Sequence, residues 1–157
     1  MEIFLFAAGI GFVAGLRTFL APAAVAWAVR LGWLNLHGSP FAFMESNLAL
    51  AGLSIGALGE LVADLVPSIP KRTAVAPLLA RLLSGAFCGA CLCASANRSV
   101  PIGAVLGAAG AIIGAFSGYE IRRRLVAKLN VKDVFIALSE DVVALILAFF
   151  LVAQLLH

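Results

Sequence analysis

Seven ionisable side chains interrupt long apolar runs in this chain: Arg17, Glu60, Asp64, Arg81, Glu120, Glu140 and Asp141. At the centre of an apolar layer each costs about 2.5–3.5 kcal/mol if unpaired. They should therefore face one another rather than their apolar surroundings. Glu60 and Asp64 stand four residues apart in Gly59-Glu-Leu-Val-Ala-Asp-Leu-Val-Pro67. That spacing puts both carboxylates on one face of a helix. Carboxylates outnumber arginines in the set, and a buried carboxylate without a cation titrates closer to neutrality. The chemistry this allows is binding of a proton, a small cation or a small charged solute. The alternative is a salt-bridge network that only fixes helix register.

Distance along the chain predicts the pairs. Asp64 lies shortly before the Lys71–Arg72 turn and Arg81 shortly after it. At about 1.5 Å per helical residue the two reach nearly the same depth, so Asp64–Arg81 is the first expected pair. Glu60, one turn deeper, is the expected counter-ion of Arg17. Glu120 and Glu140 flank a basic connection at similar depths, and Glu120 can instead pair locally with Arg123 or Arg124.

Other chemistry finds little support. Cys88, Cys91 and Cys93 lie in an apolar run with no histidine near them, which reads as packing rather than a metal or redox site. An odd number of cysteines argues against a disulfide framework. The sequence holds no phosphate loop, nucleophile elbow or His-Glu-x-x-His pattern. The expectation is a protein that is not an enzyme and uses no metal or cofactor. A lipid-modifying enzyme would have only the acidic cluster to work with.

These charges must be positioned by a membrane-spanning framework. The 157 residues are 63% hydrophobic and 12% charged, with a mean hydropathy of +1.09. A soluble domain is roughly 45–50% apolar and about 25% charged. The net charge of +3 and pI near 9.1 do not indicate a nucleic-acid partner, because the basic residues sit beside apolar spans. The first residues lack a basic segment and Arg17 interrupts any signal core, so no cleaved signal peptide is expected. Residues 1–157 read as a single transmembrane domain.

A helix needs about 20 apolar residues to cross a bilayer core of about 30 Å. Five segments qualify: Ile3–Val29, Asn47–Val66, Ala74–Ala96, Pro101–Ile121 and Val134–Leu155. Pro22 should bend the first by removing a backbone hydrogen bond. Residues 31–46 carry Trp33, Phe41 and Phe43 and suit the surface of the bilayer. Lys71, Arg72, Arg122, Arg123, Arg124, Lys128 and Lys132 fall in connections on one side, and only Arg30 and Arg98 on the other. The positive-inside rule then places the N-terminus in the cytoplasm and the C-terminus in the periplasm.

Glycine and alanine recur every three or four residues, most densely in Gly103-Ala-Val-Leu-Gly107-Ala-Ala-Gly110-Ala-Ile-Ile-Gly114-Ala-Phe-Ser-Gly118. Such faces let helices approach closely within a bundle, and one of them can serve a homo-oligomer. Gly11-Phe-Val-Ala-Gly15-Leu-Arg17 and Gly114-Ala-Phe-Ser-Gly118-Tyr-Glu120 are similar. Each precedes a helix bearing acidic residues, which allows an inverted two-helix repeat of the kind found in transporters.

Three stretches carry a family resemblance: Gly15-Leu-Arg17-Thr-Phe-Leu-Ala-Pro22, Glu60-Leu-Val-Ala-Asp64-Leu-Val-Pro67 and Arg81-Leu-Leu-Ser-Gly-Ala. Together they resemble an uncharacterised family of small bacterial multipass membrane proteins known only as a domain of unknown function. The resemblance implies a bacterial inner-membrane location and no particular activity. The chain is thus read as an all-α bundle of about five transmembrane helices in contact with the lipid bilayer. Its expected function is a small transporter or channel-like protein for a proton-coupled or small ionic solute, the alternative being a structural or accessory membrane protein.

Overall fold

The computed structural model describes residues 2–63, 75–129 and 133–154. Six α-helices make up almost all of it: α1 (Glu2–Leu16), α2 (Leu20–Arg30), α3 (Asn47–Ala63), α4 (Val75–Ser95), α5 (Val100–Leu129) and α6 (Asp133–Ala153). One turn of 3₁₀ helix, Ala42–Glu45, precedes α3. The described residues contain no strand. The all-α class is as expected. Two helices, α4 and α5, are long and apolar enough to cross a membrane by length and composition.

The centre of the fold is α5. Its buried stripe is Gly103, Gly107, Gly110, Ala111, Gly114, Ala115 and Gly118, all small, while Ile102, Val105, Ile112, Ile113 and Phe116 face outward. Against this smooth stripe lie α1 on one side and α4 on the other. A Cβ added at Gly11 would land on the carbonyl of Gly107, and one at Gly110 on that of Ala8. Gly85 and Gly89 of α4 meet the backbone at Gly107 and Gly103. No side chain separates these helices, which is the close approach that small residues permit.

The same contacts fix direction. Ala8 to Gly15 advance along α5 as Gly107 to Ala115 advance, so α1 and α5 run the same way. α4 runs opposite to α5: Gly85 meets Gly107, Gly89 meets Gly103, and Cys93 meets Gly103. α6 runs opposite to α1, with Leu151 against Gly9 and Asp141 against Arg17. The two glycine motifs compared above therefore lie on parallel helices, which removes the inverted relation between them.

The largest departure from expectation is the first apolar segment. It is two helices, not one bent span. α1 descends to Leu16, the chain turns through Arg17–Phe19, and α2 returns alongside α3 and α6. Thr18, at the turn, meets Ser84, whereas Phe41, beyond the far end of α2, stacks edge-on against Phe87, one helical turn further along α4. α2 therefore runs with α4 and opposes α1. Pro22 explains the turn. Its nitrogen has no hydrogen to give the carbonyl of Thr18, and its ring excludes that carbonyl from a continuing helix. Within α2 it occupies the first turn, where a missing donor costs nothing.

α2 ends as deliberately. Trp33 N–H bonds the carbonyl of Ala28 at 2.8 Å and Gly32 N–H that of Val29 at 3.1 Å, with Gly32 at φ +77°. This is the glycine-terminated helix end that caps the last carbonyls. Residues 31–46 then send part of their apolar side chains inward. Leu34, Leu36 and Met44 are buried, and Phe41 and Phe43 pack on Phe87. Three apolar side chains on a short connection gain more by entering the core than by facing outward.

Candidate functional site

The turn between α1 and α2 is where the charges meet. α1 delivers its C-terminal, partially negative end there, and α2 begins with its partially positive end. Each receives the opposite charge. The Glu60 carboxylate, from α3, accepts the N–H of Thr18 through Oε1 at 2.7 Å and that of Phe19 through Oε2 at 2.8 Å. Arg81, from α4, donates through Nη1 to the carbonyl of Gly15 at 3.0 Å. The Ser84 hydroxyl donates to the carbonyl of Thr18, the group that Pro22 leaves without its helical donor. Backbone exposed by the reversal is thus satisfied by side chains of α3 and α4, as buried polar groups require.

Arg17 sits inside this turn, 1% exposed. Its Nη2 is bonded to Oδ1 of Asp141 from α6. Its Nη1 lies 3.4 Å from the backbone carbonyl of Glu60. Burying a guanidinium is tolerable only with a carboxylate and carbonyls arranged around it, and α6 and α3 contribute one of each here. Arg81 and Asp141 are buried as well.

Four of the seven predicted residues, Arg17, Glu60, Arg81 and Asp141, are therefore gathered at one point. The pairing differs from expectation. Glu60 does reach Arg17, but through its main-chain carbonyl, because its carboxylate is committed to the turn. The carboxylate that pairs with Arg17 is Asp141, 124 residues away in sequence. The expected Asp64–Arg81 pair lies outside the described residues, since Asp64 does.

The remaining two stand apart. Glu120 takes the local option, bonded to Arg124 Nε at 2.7 Å and Arg123 Nη2 at 3.0 Å within one turn of α5. Glu140 is next to Asp141 but turned about 100° round the helix, with Oε2 4.0 Å from Arg122 Nη1. Ser84 and Thr18 were missed in the sequence. The signal was Pro22, which obliges the carbonyl four residues earlier to find another donor.

Cys88, Cys91 and Cys93 are free and buried. Cys88 and Cys91 belong to the core, and Cys93 lies against Gly103. Among the described residues no group of three or more His, Cys, Asp or Glu is placed to hold a metal ion.

A model for a domain of unknown function, DUF4126, matches residues 4–154. No curated protein and no solved structure matches the chain.

Proposed function

We propose that this chain, which belongs to the DUF4126 family, is an integral membrane protein handling protons or a small ion at the turn between α1 and α2. Support for the membrane comes from what faces outward. Leu48, Ile55, Leu58 and Val62 of α3, Leu79 and Leu83 of α4, and Val142, Val143, Ile146 and Phe150 of α6 are all exposed. They join the bulky outer residues of α5 around a small-residue interior. Water would penalise that arrangement at roughly 25 cal/mol per Å² of apolar surface, whereas lipid does not. The bacterial inner membrane is the location the family resemblance implies.

The reversal at Arg17–Phe19 alters the proposed topology. α1 and α2, with 15 and 11 residues, measure roughly 22 and 16 Å, short of the ~30 Å hydrocarbon core. They form a re-entrant hairpin beside α4 and α5, the two helices long and apolar enough to span, with α3 and α6 packed alongside in the same layer. Arg122, Arg123, Arg124 and Lys128 crowd one end of α5 and mark the cytoplasmic side. The beginning of α1, residues 31–46 and the end of α6 then lie on the periplasmic side. Cysteines introduced one at a time test this, the native thiols being buried. A thiol at Glu2 or His37 should react with an impermeant maleimide added to intact cells, and one at Arg123 only after lysis. Protection at Glu2 with reaction at His37 would return α1–α2 to a single span.

The observation that carries the ion-site reading is the reversal itself. Non-helical backbone inside a bilayer is tolerated where it is enclosed by protein or lines a hydrated site, and interrupted helices are where transporters bind ions. Here the reversal gathers two guanidiniums, two carboxylates and the ends of two helices. One observation favours the structural alternative: both Glu60 oxygens already hold backbone N–H groups. Glu60→Gln separates the two. It keeps the shape and one acceptor, so stability should fall by only about 0.5–2 kcal/mol. In proteoliposomes assayed for H⁺, Na⁺, K⁺ and Cl⁻, wild-type flux should be abolished by the substitution while the protein remains folded. A wild-type protein that moves none of these ions ends the transport reading.

A further inference from the structure

A cavity of about 400 Å³ lies at the opposite end of α2 from the charged turn, lined by Val29, Arg30, Gly32, Leu34, Asn35, His37 and Glu45. Its volume is at the lower end of the range for small-ligand sites, about 300–1,000 Å³. Val29 and Leu34 are buried and supply an apolar floor. The polar groups are of both signs. Arg30 ends α2 and makes no salt bridge among the described residues. Glu45 closes the 3₁₀ turn, with Oε2 3.2 Å from His37 Nδ1. Asn35 Oδ1 accepts the N–H of His37 at 3.0 Å, which holds the intervening loop in a tight turn.

Gly32 adds a constraint. Its φ of +77° is required by the helix end, and its position has open space around it. The α2 terminus therefore leaves room between Arg30 and the loop. Arg30 is also one of only two Lys or Arg residues in the connections at this end, the other being Arg98. A guanidinium is the side chain best shaped to take two oxygens of a phosphate or carboxylate. A carboxylate lining the same cavity suits a primary ammonium.

We propose that this cavity binds a small zwitterion joining a phosphate to a primary ammonium, the chemistry of ethanolamine phosphate, with the phosphate on Arg30 and the ammonium on Glu45. The cavity does not involve the charged turn, so the proposal stands independently of ion transport. Both a membrane lipid headgroup and a free solute carry this chemistry.

The test uses the full chain, first in detergent and then in nanodiscs. Glycerophosphoethanolamine is titrated by calorimetry into the wild type, Arg30→Gln and Glu45→Gln. Both side chains are at the surface or partly exposed, so the variants should fold, which circular dichroism checks. Each variant should bind roughly tenfold or more weakly, the usual effect of losing one charge-assisted hydrogen bond. Inorganic phosphate and ethanolamine, titrated separately, should each bind more weakly than the joined molecule. Saturation of the site in phosphatidylethanolamine nanodiscs but not phosphatidylcholine ones, read as loss of glycerophosphoethanolamine binding, identifies the lipid as the source. An open site in both identifies the free solute. Wild-type affinity in both variants overturns the proposal. So does phosphate binding as tightly as the zwitterion with no effect of Glu45→Gln, which would make the cavity a simple anion site.

Discussion

Replacing Asp141 by asparagine is expected to cost about 3–5 kcal/mol of stability, the usual price of leaving one member of a buried ion pair behind. Arg17 is 1% exposed and Asp141 8%, so water cannot take the place of the lost carboxylate. Arg17→Met should be comparably damaging for the converse reason. Removing both charges together, as Arg17→Met with Asp141→Leu, should recover most of the loss, since a dry apolar pair pays no desolvation. Thermal unfolding in detergent, followed by circular dichroism, measures all three. The double variant is the informative one. If it is as unstable as either single variant, the pair also shapes the turn, and its role cannot be reduced to charge balance. If both single variants stay within about 1 kcal/mol of wild type, Arg17 is not dependent on Asp141 and the account of the site fails. A stable double variant without ion flux would tie the pair itself to transport.

Helices and the small-residue interior could be read from the sequence because each is a local property, whereas among the described residues only Arg17, Glu60, Arg81 and Asp141 of the seven charges are seen to meet. Glycine spacing in residues 103–118 announces a face that needs no partner to be recognised. Glu120 with Arg123 and Arg124 is likewise a matter of one helical turn. The reversal at Arg17–Phe19 was not legible in the same way. Pro22 was visible, and it implied a break in the ladder of hydrogen bonds. Whether such a break gives a bend or a full reversal depends on who satisfies the freed groups. The answers, Glu60 and Ser84, come from 41 and 66 residues further along the chain. The same reason explains the exchanged partner of Arg17. Matching depths assumed that α1 and α2 were one rising helix. Once α2 turns back, the end of α1 is brought level with the middle of α6, and Asp141 comes within reach of Arg17.

Gly107 tests the framework that holds this turn in place. A Cβ there would fall on the carbonyl oxygen of Gly85, while Gly11 of α1 presses on the carbonyl of Gly107 itself. What would have to move is the backbone of α4 or α5, with α1 already against the other side of α5, not the end of a flexible side chain. Overpacking usually costs 1–3 kcal/mol when side chains can yield, so Gly107→Ala should cost about 3 kcal/mol or more. That loss would come despite alanine being intrinsically better in a helix by about 1 kcal/mol. Gly52→Ala and Gly59→Ala in α3 are the controls, because a Cβ at either meets nothing within 4 Å. They should leave the unfolding midpoint unchanged or raise it. A tolerated Gly107→Ala would mean that α4 and α5 are not in backbone contact at this point. Gly110→Ala and Gly114→Ala test α1 in the same way, because a Cβ at either falls on the carbonyl of Ala8 or of Phe12; if both were tolerated, the direction of α1 read from those contacts would fall, and with it the re-entrant hairpin that brings Arg17 to Asp141.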